Sequence, residues 1–274
     1  MSNNVNERAI GVFDSGVGGL TVLAELQKAL PNESFLYLGD TARVPYGSRS
    51  PETIIRYSKR VAGHLVRKRI KALVIACNTA TTYAFEELKI ACEPLNIEVF
   101  GVIEPGARAA LQQTKNNRIA VLGTEGTIKG QKYQEILKTL SPNVKIQEKA
   151  CPLFVPLAEE GCHQESFTEM IAEMYLQELQ EVDTVILGCT HYPLLKTLLQ
   201  KLRPNMTFID SAEATARFVR DSLNHKNLLS SSSQPKTCYL VTDNLERFER
   251  VGYYFLNCPP HPLELIDIHD SDEL

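Results

Sequence analysis

The sequence predicts an α/β protein: two similar, pseudo-symmetric α/β domains with mainly parallel sheets, facing each other across an active-site cleft. Three observations carry this. Short apolar runs alternate with longer segments of helical period along nearly the whole chain, the pattern of parallel sheets covered by helices on both faces. Runs such as Leu73-Val74-Ile75-Ala76 and Val185-Ile186-Leu187 are apolar at every position, as strands buried on both sides must be. Two of these runs end alike, in Cys77-Asn78-Thr79 and Cys189-Thr190-His191, so a thiol is offered twice at the carboxyl end of a strand, where open α/β sheets bind ligands.

Ala9 to Phe13 is the first strand, followed by Asp14-Ser15-Gly16-Val17-Gly18-Gly19 and a helix over 20–30 with Leu20, Leu23, Leu26 and Leu30 near one face. The glycines let the backbone approach an anion at the helix start. The loop matches neither common nucleotide-binding pattern, and taken alone it also reads as a tight turn. Ser34 to Leu38 is a second strand, followed by a loop from Gly39 that ends in Pro45-Tyr46-Gly47. Tyr46 and Gly47 offer a hydroxyl and a backbone donor there, although a loop tyrosine is more often structural. A helix runs from Pro51 to about Arg69.

After the Cys77 strand, Tyr83 to Cys92 is helical and stops before Pro94. A strand over 98–102, a helix over 104–114, a strand over 118–122 and a helix over 130–140 follow. Gly123-Thr124-Glu125-Gly126-Thr127 echoes the opening loop. Aligning Asp14 with Thr124 places the two cysteines 63 and 65 positions downstream, which suggests an internal duplication. Lys145 to Lys149 is strand-like, Cys151 to Pro156 is a proline-bounded apolar segment, and 167–179 is a helix feeding the Cys189 strand. Pro193 suits the first turn of a helix reaching Leu202. A strand over 207–209, a helix over 214–223, a strand over 238–242 and a helix over 245–256 complete the pattern. The segment 228–236, with four consecutive serines, reads as a surface loop or connector, and the acidic tail from Asp267 as mobile. The expected division is residues 1–100 with 210–274 as the first domain and 101–209 as the second.

At 274 residues, with 43% apolar and 23% charged residues, the chain suits a soluble globular protein with a full core. A net charge of -4 argues against nucleic acid as the main partner, and Arg67-Lys68-Arg69 reads as the solvated end of a helix. No apolar run is long enough to cross a membrane, and Met1 to Arg8 holds no apolar signal segment. Seven scattered cysteines without a C-x-x-C pair fit a reducing cytoplasm.

Free cysteine titrates near pH ~8.5, and a helix start or a neighbouring donor raises its thiolate fraction. Two thiols on opposite walls can remove a proton from one face of a carbon and return one to the other, inverting a stereocentre without a cofactor. Other readings of the residues stay open. Both cysteines can be packed strand ends, which leaves the repetition unexplained. Cys77, Cys189 and His191 can hold zinc, but no dense ligand cluster accompanies them. A Cys-His hydrolase needs only one of the thiols.

The blocks Phe13-Asp14-Ser15-Gly16-Val17-Gly18-Gly19, Pro45-Tyr46-Gly47, Ala76-Cys77-Asn78-Thr79-Ala80 and Gly188-Cys189-Thr190-His191-Tyr192-Pro193 resemble the signature blocks of the glutamate racemases. These belong to a family of cofactor-independent racemases that includes aspartate racemases. The resemblance implies that Cys77 takes the α-proton from D-glutamate and Cys189 from L-glutamate. It implies that Asp14 assists on the Cys77 side and His191 on the Cys189 side, with Glu159 acting near the second cysteine. Asp14, Ser15, Tyr46, Gly47, Asn78, Thr79, Thr190 and His191 would hold the substrate, with Thr124, the counterpart of Asp14 in the duplication, counted beside them. It implies no metal and no pyridoxal phosphate, a homodimer, and supply of D-glutamate for peptidoglycan. An aspartate racemase and a non-catalytic amino-acid-binding module are the competing expectations.

Overall fold

The computed structural model describes residues 5–274; the first residues of the polar start, 1–4, lie outside the described residues. Two parallel sheets organise the chain. The first has six strands, β1 (Ile10–Asp14), β2 (Phe35–Gly39), β3 (Ala72–Ile75), β4 (Glu98–Gly101), β9 (Thr237–Val241) and β10 (Leu263–Leu265), in the order β10-β9-β2-β1-β3-β4. The second has four, β5 (Arg118–Gly123), β6 (Lys145–Ala150), β7 (Thr184–Gly188) and β8 (Thr207–Asp210), in the order β6-β5-β7-β8. The order β2-β1-β3-β4 recurs as β6-β5-β7-β8, and every pairing is parallel. The duplication read from loop spacing is therefore visible in the strand order. β1, β3 and β7 are buried at every position, as the apolar runs at their centres require.

Helices cover the sheets. α1 (Leu20–Ala29) and α2 (Pro51–Arg67) follow β1 and β2. Ser50 caps α2 by accepting from the Thr53 N–H at 3.4 Å, and Pro51 opens its first turn. Ile54, Val61, Ala62 and Leu65 are its buried face, the spacing of one helical stripe. α3 (Asn78–Cys92) follows β3, and α4 (Ile103–Gln113), α6 (Lys132–Leu140), α8 (Ser166–Leu176), α9 (Lys196–Leu202), α10 (Ser211–His225) and α11 (Leu245–Leu256) complete the long helices. One apolar cluster runs through both sheets, joining Val12, Val74, Val121 and Ile186 through helices α1, α4 and α10.

Four expectations need correction. The helix after Cys77 starts at Asn78, not Tyr83: Ala80 N–H is capped by the Cys77 sulfur, and Thr82 Oγ1 donates back to the Asn78 carbonyl, so the threonines sit inside the first turn. The loop after β5 contains a short helix, α5 (Glu125–Lys129), capped by Thr124. The proline-bounded segment is also a short helix, α7 (Phe154–Glu159), in whose first turn Pro156 is tolerated because no intrahelical N–H is needed there. The acidic tail is held rather than loose. Asp272 accepts from the His269 N–H at 2.7 Å and pairs with Arg67, while Asp270 pairs with Arg60 at 2.7 Å. The basic run that ends α2 thus serves partly to bind the tail.

The serine-rich segment 228–236 is irregular but tethered at its start. Lys71 Nζ donates to the Leu228 carbonyl at 2.8 Å and pairs with Glu33 at 2.6 Å, and Glu33 accepts from the Ser230 N–H at 2.8 Å. The side chains of Lys71 and Glu33 are 0% and 2% exposed, so removing one strands the other in a dry site. Lys71→Ala is expected to cost about 3–5 kcal/mol, seen as a lower urea midpoint at unchanged m-value. The double variant Lys71→Met with Glu33→Leu is expected to recover most of that loss.

Candidate active site

The two cysteines are placed by equivalent joints. Cys77 follows β3 and is the N-cap of α3; Cys189 follows β7 directly. Both are 6% exposed, and both line one cavity of about 390 Å³ between the two sheets. Ser15, Tyr46, Gly47, Asn78, Thr79, Thr124, Glu159, Thr190 and His191 line it too. Of the site residues expected from the sequence, Asp14 alone stands behind this wall, fully buried.

Around Cys77 the donors come from the helix start and the first loop. Ala80 N–H donates to Cys77 Sγ at 3.4 Å, and the thiol donates to Ser15 Oγ at 3.6 Å. Burial pushes this thiol up to about 12, and the charge of Asp14 adds to the rise; the Ala80 and Ser15 contacts oppose it without winning. The helix start therefore does not make Cys77 a resting thiolate. Beside it, Asn78 Oδ1 accepts from Tyr133 OH at 2.8 Å, while Asn78 Nδ2 is buried without a partner among the described residues. That leaves a donor at the cavity wall for a ligand oxygen. Thr79 Oγ1 shares hydrogen bonds with Thr124 Oγ1 at 2.9 Å and Thr127 Oγ1 at 3.2 Å. The Tyr46 hydroxyl is engaged: it donates to Asp40 Oδ2 at 2.7 Å, and Asp40 also holds Arg43. Tyr46 thus offers the cavity its ring and backbone rather than its hydroxyl.

Around Cys189 the neighbours are ionic. His191 Nδ1 lies 3.8 Å from Cys189 Sγ, and His191 Nε2 lies 3.0 Å from Glu159 Oε1. Burial alone would lower the imidazole, but its bonds to Cys189 and Glu159 prevail and lift it to about 10. Burial would raise Glu159, yet His191 first and Arg247 second pull it down to about 2. Arg247 donates to Glu159 Oε2 at 2.8 Å from α11, near the C-terminal end of the chain. Asp14, from behind the wall, accepts from the Gly16 N–H at 2.9 Å and from Thr190 Oγ1 at 3.5 Å. Burial raises its carboxyl, and the nearby His191 opposes that. It ties the first loop to the second cysteine's neighbours rather than facing a ligand.

The halves close tightly at this point. A Cβ on Gly18 would lie 2.4 Å from the His191 ring, so only glycine lets the first loop pass there. Thr21 Oγ1 donates to the Thr190 carbonyl at 3.0 Å. Arg247, Tyr133 and Asp40 were not singled out from the sequence. Arg247 and Tyr133 reach the site from distant segments, Asp40 stands in the same loop as Tyr46, and none carries a local motif.

These features define a class: a parallel, duplicated α/β protein with a thiol on each wall of one cleft. The chain belongs to the Asp/Glu/Hydantoin racemase family, whose sequence pattern matches residues 10–219. It is 51% identical over 253 residues to a glutamate racemase of Geobacter metallireducens, covering 91% of this chain and 93% of the relative. The structure is similar to that of a Bacillus anthracis glutamate racemase, with a TM-score of 0.91 and 38% identity over 96% of this chain and 98% of that one. It is also similar to a Francisella tularensis glutamate racemase solved in complex with D-glutamate, with a TM-score of 0.90 and 33% identity over 96% and 98% of the two chains.

The shifts of Glu159 and His191 link stability to pH. Glu159 drops from 4.5 to about 2, so its contribution is complete above pH 4.5 and is lost as pH falls through about 2. His191 rises from 6.5 to about 10, so its contribution is complete below pH 6.5 and is lost as pH rises through about 10. Both are complete only between 4.5 and 6.5. Glu159→Gln is expected to destabilise most inside that window and progressively less on either side, as measured by urea unfolding across it.

Proposed function

We propose that this protein is a cofactor-independent glutamate racemase that interconverts L- and D-glutamate by proton transfer between two cysteines. The observation that carries the reading is the pair Cys77 and Cys189, supplied by duplicated strand ends and lining one cavity. The names of the relatives reported above favour glutamate over aspartate, and the presence of both thiols disfavours a binding module without chemistry.

In the L-to-D direction Cys189, as thiolate, takes the α-proton from one face and becomes a thiol. Cys77, as thiol, gives its proton to the opposite face and becomes a thiolate. The enzyme is left in the reverse protonation state and must exchange protons before the next turnover. Burial of Cys77 as a thiol, raised to about 12, suits it to start as the acid in this direction. The α-hydrogen is weakly acidic, so charge developing on the substrate carboxylate needs fixed donors. Asn78 Nδ2, the hydroxyls of Thr79, Thr124 and Thr190, and the backbone at Ser15 and Gly47 are the groups available at the wall. The His191 imidazolium balances the charge of the thiolate beside it. Asp14 would act through Thr190 and the first loop, not by direct contact with the substrate ammonium.

The same reading assigns residues 1–100 with 210–274 to one domain and 101–209 to the other, supported by the membership of the two sheets. It includes a homodimer, expected of the family, and a cytoplasmic role supplying D-glutamate for peptidoglycan. Among the described residues no helix is long and apolar enough to cross a membrane.

Incubation with each glutamate enantiomer in D2O tests the proposal. Inversion with α-deuterium uptake is expected from both sides, and either Cys77→Ala or Cys189→Ala should abolish inversion. Binding without inversion or exchange would reject the racemase, and exchange confined to aspartate would overturn the substrate.

A further inference from the structure

Helix α11 belongs to the first half, where it packs on α1 and β10, yet one of its faces reaches the second half at three points. Arg247 bonds Glu159 Oε2 at 2.8 Å and Glu160 Oε1 at 3.4 Å. The Tyr254 ring meets His163 edge-on at 5.8 Å, and the Phe255 ring meets His191 edge-on at 5.5 Å. Arg247, Tyr254 and Phe255 are seven and eight positions apart, so they share a face of the helix. No motif in the sequence marks them, and the reading of the cysteines does not use them.

The charges in the cavity show what this face is for. Among the described residues that line it, Glu125, Glu159 and Glu160 are acidic, and Arg247 and His191 are the basic side chains. A glutamate brings a net negative charge to a site that also holds a thiolate in either direction of turnover. His191 is thus the cation at the reacting sulfur, and among the described residues its only carboxylate partner by hydrogen bond is Glu159. Glu159 is held at both oxygens, by His191 on one side and Arg247 on the other. Its side chain is 18% exposed and Arg247 is 45% exposed, so the arginine sits at the cavity mouth and the carboxylate just inside.

We propose that Arg247 is a positioning residue: a latch across the cleft that fixes Glu159 against His191 and thereby orients the imidazole beside Cys189. This rests on the racemase reading for its consequence in turnover, but not for its geometry. Without Arg247 the carboxylate has one anchor left and an open path to water. The groups facing His191 are Cys189 and Thr190 from its own strand end, Asp14 from behind the first loop, Glu159 from α7, and Arg247 and Glu160 beyond Glu159. Loss of the arginine's own charge would favour the imidazolium slightly. That effect is screened at the exposed mouth, and loss of the short Glu159–His191 bond outweighs it.

The experiment is a titration of the His191 ring by NMR in the intact protein, with racemisation from both enantiomers followed in parallel. Arg247→Ala is expected to lower the His191 midpoint by about one pH unit and to reduce kcat about tenfold, with a smaller change in KM. Arg247→Lys, which keeps a cation at Glu159, should restore most of the midpoint. In a Glu159→Gln background, Arg247→Ala should move the midpoint no further, because the latch acts through that carboxylate. Arg250→Ala, on an exposed part of the same helix, should leave both quantities unchanged. An unmoved midpoint in Arg247→Ala overturns the proposal, as does an equal shift with and without the Glu159 carboxylate. A rise in KM alone would instead make Arg247 a substrate contact. Absence of racemisation in the unaltered protein would count against the racemase reading, while the titration would still decide the latch.

Discussion

The cleft depends on two strand-to-helix joints, because they alone decide where the thiols stand. A parallel strand buried on both faces is one of the stiffest elements a fold offers, and its end is where backbone groups become free for a ligand. β3 and β7 end in this way, at equivalent places beside β1 and β5. Cys77 and Cys189 inherit that rigidity without needing a network of their own. The remaining elements make the two joints face each other. A shared apolar cluster runs through both sheets, and Gly18 lets the first loop pass against His191 with no room for a Cβ. A one-residue change of register in either strand would turn its cysteine away from the cavity.

Equivalent joints do not make equivalent surroundings. On one wall the sulfur is surrounded by neutral donors, a helix start and the buried Asp14, and desolvation dominates. On the other wall it is paired with an imidazole whose far nitrogen is held by a carboxylate. The duplication supplied the geometry twice, and divergence of the neighbouring residues separated the electrostatics. Position 124 illustrates the difference. Where β1 ends in the buried Asp14, the matching end of β5 is followed by Thr124, which caps a helix and shares hydroxyl bonds with Thr79. A negative charge on both sides would have worked against a negatively charged ligand.

How much of this could be read from the chain follows from the range of each interaction. The parallel strands were legible because burial on both faces leaves unbroken apolar runs, and the cysteine-bearing ends were legible because small polar residues follow at once. The repeated strand order was foreshadowed by the spacing of Asp14, Cys77, Thr124 and Cys189. Short helices were missed where prolines or threonines looked like loop residues but sat in first turns, as at Pro156 and Thr127. The tail was misread because its acidic composition matched a solvated end; the arginines that hold it lie two hundred positions away on α2. Tyr133 and Arg247 share that difficulty. Each acts on a residue of another segment, and a side chain's partner across the fold leaves no periodicity behind. The Tyr46 hydroxyl was assigned outward because its acceptor is fixed by how the loop folds back on Asp40.

The bonds that join the two halves differ in depth, and depth ranks how easily each can be broken. At the floor, Tyr133 OH to Asn78 is buried, and the threonine cluster of Thr79, Thr124 and Thr127 and the Thr21 bond to Thr190 are at least partly so. Leaving such groups without partners costs about 1–3 kcal/mol each. At the mouth, the Arg247–Glu159 pair is partly exposed, and water can replace either partner at a cost of about 0–1 kcal/mol. The gradient runs from a floor that resists separation to a rim that does not. Separation of the two halves is therefore cheapest at the α11 side, where the residues that orient His191 also stand. Entry at that rim would disturb the ionic wall around Cys189 and leave the neutral wall around Cys77 in place.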